Sequence, residues 1–205
     1  METNNEMTVE RSLEIISRHI EQSRKDITKN AGLPMILWGV MTIVTGCIVG
    51  YMLKTTGSAN WNFLWFFMAI IGWVIMLWMS HKEKRKKLPV TFMSQVMSSL
   101  WLAFGIFASA LAILLYVVAP FAFSTWIVYI SYTPIIILLV GVCTTATGLI
   151  LKQGWITAGG IIGGLAGAAL AYSLPGPYEA FVMAGVALVT LLIPGIMING
   201  RKDYV

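Results

Sequence analysis

Charge is what this chain has least of. Only 11% of its 205 residues are Asp, Glu, Lys or Arg, against about 25% in an ordinary soluble domain. The shortage excludes a hydrated surface of normal extent. With 58% hydrophobic residues beside it, the balance points to a chain solvated by lipid. Histidine and cysteine are scarce too, with two of each. No Asp, Glu, Lys, Arg or His lies in the middle of an apolar run. Intramembrane proton relays, metalloproteases and hydrolases need such groups, so those classes are not expected. No Walker, H-E-x-x-H or G-x-S-x-G arrangement occurs either. The expectation is therefore a non-enzymatic protein with no cofactor, no catalytic residues and no metal. Cys47 and Cys143 both sit in apolar runs and read as small core residues. Residues 1–33 are charged throughout and contain no apolar segment of the signal-peptide kind.

What the chain does have is six apolar segments. They run over Pro34–Leu53, Trp61–Met79, Phe92–Val118, Thr125–Leu151, Trp155–Ser173 and Tyr178–Ile198. Each is close to the ~20 residues that a helix needs to cross a bilayer core. Trp61 and Trp78 bracket the second, and Trp126 and Trp155 open the fourth and fifth, as interfacial aromatics do. Pro134 in the long fourth segment predicts a kink near Ile130, and Pro194 a second distortion near the end of the sixth. The fold class read from this pattern is an all-α integral membrane protein, a six-helix transmembrane bundle preceded by an amphipathic helix. Its parts are 1–33 (cytoplasmic helix), 34–198 (transmembrane domain) and 199–205 (cytoplasmic tail).

The N-terminal segment 8–29 is polar but periodic. Val9, Leu13, Ile16 and Ile20 recur at helical and heptad-like spacing, with Ile27 further on. Thr8 reads as the N-cap, and Asn30, Gly32 and Pro34 as stop signals. Its acids nearly balance its bases, whereas a helix made for anionic lipid would carry a stronger cationic face. That balance points to a protein partner, either a second copy or a cytoplasmic protein.

Orientation follows from counting cations. With the N-terminus inside, every Lys and Arg except Lys54 falls on the inner side. This is the asymmetry of six spans with both ends cytoplasmic in a bacterial inner membrane. Lys82, Lys84, Arg85, Lys86 and Lys87 form a short basic loop, read as a topology anchor rather than a nucleic-acid site.

Gly141–Gly167 is the stretch richest in small residues. Gly159, Gly163 and Gly167 fall at i, i+4, i+8, with Gly160 and Gly164 beside them. Glycine costs about 1 kcal/mol in a helix interior in water, but in lipid it lets two backbones approach closely. The stretch is expected to form the closest packing seam. GVMTIVTGCI (39–48) and GVCTTATGLI (141–150) also match, placing Gly39 and Gly46 against Gly141 and Gly148 in spans of opposite direction. A 3+3 inverted repeat would give that relation, and so would two packing seams in a chain of biased composition.

The polar groups inside spans are neutral. Gln95, Ser98 and Ser99 lie on the third, and Tyr129, Tyr132 and Thr133 precede Pro134 on the fourth. If the fourth helix unwinds at the proline, these six residues form a small-solute or ion site. Otherwise they bond neighbouring helices.

Three fragments together carry a resemblance: SLEIISRHIEQSRKDITKNAGLPMILWG, GVCTTATGLILKQGWITAGGIIGG and LIPGIMIN. They are similar to a group of small multi-pass membrane proteins of Bacteroides-type bacteria. In that group the turn after the Thr-Gly-x-Ile-Leu-Lys motif usually continues Phe-Lys-Pro, where this chain has Gln153-Gly154-Trp155. The resemblance implies an inner-membrane location and supplies no catalytic residues. Two functions stay open at this point: an interaction, regulatory or scaffolding module that uses the N-terminal helix and forms an oligomer, and a small-solute or ion transporter.

Overall fold

The computed structural model describes residues 9–84, 92–118 and 131–200. Six helical segments in it are long and apolar enough to cross a membrane: Gly32–Thr56, Ala59–Met79, Gln95–Ile113, Tyr132–Ile150, Gly154–Ser173 and Pro177–Gly200. The helices are α1 (Val9–Thr56), α2 (Phe63–Lys84), α3 (Phe92–Ile113), α4 (Tyr132–Ile150), α5 (Gly154–Ser173), α6 (Pro177–Ala187) and α7 (Ile193–Gly200). A π-helical turn, Leu188–Leu192, joins α6 to α7 so that they form one span. Another, Leu114–Val118, extends α3.

Three expectations about boundaries need correction or refinement. The helix break expected at Asn30–Pro34 is not there: α1 is a single helix of 48 residues with Pro34 inside it, and its apolar part begins at Gly32 without an interruption. Gly32 does not end the helix because it is held in a packing contact with Gly195 and Asn199. The fourth span begins at Tyr132, and Thr125–Ile130 lies outside the described residues. Pro134 is thus in the first turn of α4, where a missing N–H breaks no intrahelical bond, and the distortion expected near Ile130 falls outside the described residues. Pro194 does lie beside a distortion, the π-helical turn ending at Leu192.

Four of the six spans form the core. Half of the apolar stretch of α4 is buried inside the bundle, but only 6% of that in the second span and 11% of that in α3. α4 and α5 form an antiparallel hairpin, and no other pair of helices among the described residues touches as extensively. α5 packs on α6 by its other side, and α1 runs antiparallel along α6, the π-helical turn and α7. α2 reaches α1 through Trp38 and Trp73, whose rings meet edge to face at 6.4 Å. Gly72 makes room for the first ring: a Cβ there would stand 2.6 Å from Trp38 Cη2. A Cβ at Gly105 of α3 would lie 3.2 Å from Trp73 Cζ2.

Seams, polar groups and the turn between α4 and α5

Small residues decide which helices touch. Cβ atoms added at Gly141 and Gly164 would approach the other residue's Cα to 2.6 and 2.8 Å. One at Gly160 would meet the Thr145 amide nitrogen at 2.6 Å, and one at Gly148 would collide with Thr157. Backbones in van der Waals contact gain dispersion energy that lipid tails cannot match. The ridge on α5 is divided, however. Gly160 and Gly164 face α4, Gly163 meets Thr190 Cγ2 of the sixth span, and Gly167 lies between Val186 Cγ2 of that span and Ile137 Cγ2 of α4. Gly159 touches little, its nearest neighbour being the Val189 carbonyl oxygen at 3.9 Å.

The internal match does not extend to packing. Gly141 and Gly148 face α5, the span that follows, whereas Gly39 lies against Leu192 and Gly46 against Ala180 and Ala184, in the last span. The two glycine faces are used alike but meet partners that an inverted repeat would not place in equivalent positions.

Of the six polar residues expected to form a site, the five that are described do not come together. Gln95, Ser98 and Ser99 are exposed near the start of α3. Tyr132 and Thr133 are half-buried at the start of α4, and Tyr129 lies outside the described residues. The Tyr132 hydroxyl donates to the Ala108 carbonyl at 3.0 Å. Ala108 is about 20 Å along α3 from Gln95 at 1.5 Å per residue. The two groups therefore occupy opposite ends of α3.

The interior holds a different polar set, all threonines. Thr42, Thr45, Thr144, Thr147 and Thr190 are buried on α1, α4 and the last span. Thr190 donates to the Val186 carbonyl at 2.8 Å, the usual bond of a helical threonine to the preceding turn. Thr144 and Thr147 are fully buried, and among the described residues their hydroxyls have no hydrogen-bond partner. Their burial follows from the glycine-rich face that they share, which the sequence shows. Their lack of partners does not follow from it.

At the end of the bundle away from the start of α1, Glu179 ties two helices together. It accepts from Ser131 Oγ at 2.7 Å and from the Gly176 N–H at 3.2 Å. Lys54 lies 5.7 Å over the Tyr178 ring at that same end. At the other end, the turn Leu151–Gln153 closes the α4–α5 hairpin, with Lys152 exposed at φ +53°. Lys82 and Lys84 end α2, while Arg85, Lys86 and Lys87 lie outside the described residues.

Val9 and Ile20 are on α1, but their side chains lie outside the described set; Leu13 and Ile16 are 61% and 54% exposed. Gly32–Thr56 is the apolar part of α1, which leaves Val9–Ala31 as an arm of about 34 Å. At about 100° per residue, Leu13 and Ile16 lie roughly a third of a turn around the helix from the Gly32–Gly39–Gly46 line that packs on the last span. The arm's apolar stripe is therefore not a continuation of the intramolecular seam. No protein-family model, curated protein or solved structure matches this chain.

Proposed function

We propose that this is a non-enzymatic, multi-pass inner-membrane protein of the group it resembles, with both termini cytoplasmic. In this reading it works as an interaction or scaffolding module that self-associates through the arm of α1. The observation that carries the reading is the pair Leu13 and Ile16, large apolar side chains exposed on a polar helix and turned away from the bundle's own seam. Apolar groups at heptad spacing on a helix of mixed charge are suited to a second helix. The geometry lends the transporter alternative no support, because Gln95 and Tyr132 are held at opposite ends of α3.

The test is to delete residues 1–28, which leaves the whole Gly32–Thr56 span in place. The truncated protein is expected to keep the helical content of its six spans, losing only that of the arm, and to keep its thermal midpoint in detergent. It should lose the oligomer seen by light scattering or by crosslinking in membranes. An oligomer that survives the deletion removes the arm from its role. Sidedness is checked separately: an impermeant maleimide added to intact cells should label a cysteine at position 56 and miss one at 85.

A further inference from the structure

We propose that the α4–α5 turn carries a docking groove for one anionic phospholipid, with an acyl chain in the cleft between the helices and the phosphate on Lys152. The inference rests on the membrane-spanning reading of the six helices and is independent of the arm. The groove has a volume of about 460 Å³ and is lined by Gly148, Leu149, Lys152, Thr157, Ala158 and Ile161 among others. It is shallow and open on its outer side, which suits a stretch of acyl chain lying along the helices rather than an enclosed solute.

Three features of the lining select the occupant. First, the walls are apolar and face outwards: Leu149 is 64% and Ile161 46% exposed, so in a bilayer the cleft opens to lipid. Second, the polar groups of the turn are already engaged with one another. Thr157 Oγ1 donates to the Gln153 carbonyl at 3.3 Å, and Trp155 Nε1 donates to Gln153 Oε1 at 3.0 Å. Third, Lys152 is the one charged residue of the lining. The turn holds it in place, since its N–H donates to the Leu149 carbonyl at 3.1 Å and the next N–H to that of Gly148 at 2.8 Å.

A cation at the mouth of an apolar cleft is complementary to an anionic head on an apolar tail. A free phosphate would leave the cleft unused, and a peptide backbone would find few partners for its amides. Lys152 and Trp155 also sit at the helix end, the depth at which headgroups lie.

The experiment is native mass spectrometry of the full chain, released from detergent with phosphatidylglycerol or with phosphatidylcholine. Lys152→Asn removes the charge and suits the left-handed backbone; Lys152→Arg keeps the charge. Lys152→Asn is expected to lower retained phosphatidylglycerol about fivefold, the factor that one lysine at a membrane surface supplies. It should leave phosphatidylcholine unchanged, and Lys152→Arg should behave as the parent. Ala158→Trp, which fills the cleft, should reduce both lipids. Unchanged phosphatidylglycerol retention in Lys152→Asn overturns the proposal. So does a loss seen only when Arg85, Lys86 and Lys87 are neutralised, which assigns the lipid to the basic loop. Displacement of phosphatidylglycerol by an equal concentration of inorganic phosphate overturns the role of the cleft. If Ala158→Trp fails to fold, the Asn and Arg variants at position 152 still decide.

Discussion

Gly32 and Gly195 meet backbone to backbone. A Cβ on Gly32 would stand 2.9 Å from the Gly195 carbonyl oxygen, and one on Gly195 would stand 3.0 Å from that of Gly32. Both obstacles are main chain, so neither can turn aside as a side chain would. Alanine is therefore a sufficient probe. In an isolated helix it would stabilise each position by about 1 kcal/mol over glycine; here overpacking should cost about 1–3 kcal/mol. Gly32→Ala and Gly195→Ala are each expected to lower the thermal midpoint in detergent. The double variant should lose less than the two separate losses combined, because the first Cβ already pushes the helices apart. A midpoint that rises in both single variants would show that α1 and α7 do not touch there.

The glycines of α5 differ in the same measurable way. Gly164 would place a Cβ 2.8 Å from Gly141 Cα, whereas Gly159 has nothing closer than 3.9 Å. Gly164→Ala is expected to destabilise the hairpin. Gly159→Ala should be neutral or stabilising by up to about 1 kcal/mol, the propensity difference alone. Equal effects at the two positions, read from thermal scans in one detergent, would contradict the close contact of Gly164 with Gly141 and the open surroundings of Gly159.

The six spans were legible because lipid imposes a length and a polarity that composition alone reveals. The glycine seams were legible for the same reason, but not their partners. Whether Gly163 faces α4 or the last span depends on which helices are neighbours, and no local pattern encodes that. Gly32 and Pro34 carried genuine stop signals, which the contact with Gly195 outweighs in a helix whose packing is fixed by tertiary neighbours. Gly72 and Gly105 gave no periodic signal, since each accommodates a single tryptophan from another helix. The separation of Gln95 from Tyr132 could have been derived. Spans three and four run in opposite directions and both residues lie near the starts of their spans, so alternation alone puts them at opposite membrane faces. The groove at Lys152 had only a weak signal, a lysine and a glycine closing a hairpin of small residues.

The unpartnered hydroxyls give a third prediction. Among the described residues Thr144 and Thr147 find no hydrogen-bond partner for their buried hydroxyls, while Thr190, equally buried, has one. Valine has nearly the same shape as threonine. Thr144→Val and Thr147→Val remove a desolvated group that returns nothing, so stability should hold or rise by about 1 kcal/mol. Thr190→Val removes a made bond and should cost about 0.6 kcal/mol, the average for hydroxyl bonds inside membrane bundles. Chemical denaturation in mixed micelles gives the order. If Thr144→Val falls below Thr190→Val, its hydroxyl is bonded to a water in the core.

The continuity of α1 gives the last. A helix of 48 residues that passes without a break from the arm into the first span transmits rotation as well as position. Its apolar stripe therefore points in a direction fixed relative to the bundle. Inserting one alanine between Asn30 and Ala31 leaves every residue of the arm and the span in place but turns the stripe by about 100° and raises it by about 1.5 Å. If two copies meet by arm and bundle together, that rotation should reduce self-association about as strongly as deleting residues 1–28. Inserting seven residues of the same helix-forming kind turns the stripe by only about 20° from its first direction and should restore most of the association. Crosslinking between cysteines placed at Leu13 follows all three proteins in membranes. Equal crosslinking in the one-residue and seven-residue insertions would mean that the arm acts as a tether whose direction carries no information. The association would then depend on the stripe alone.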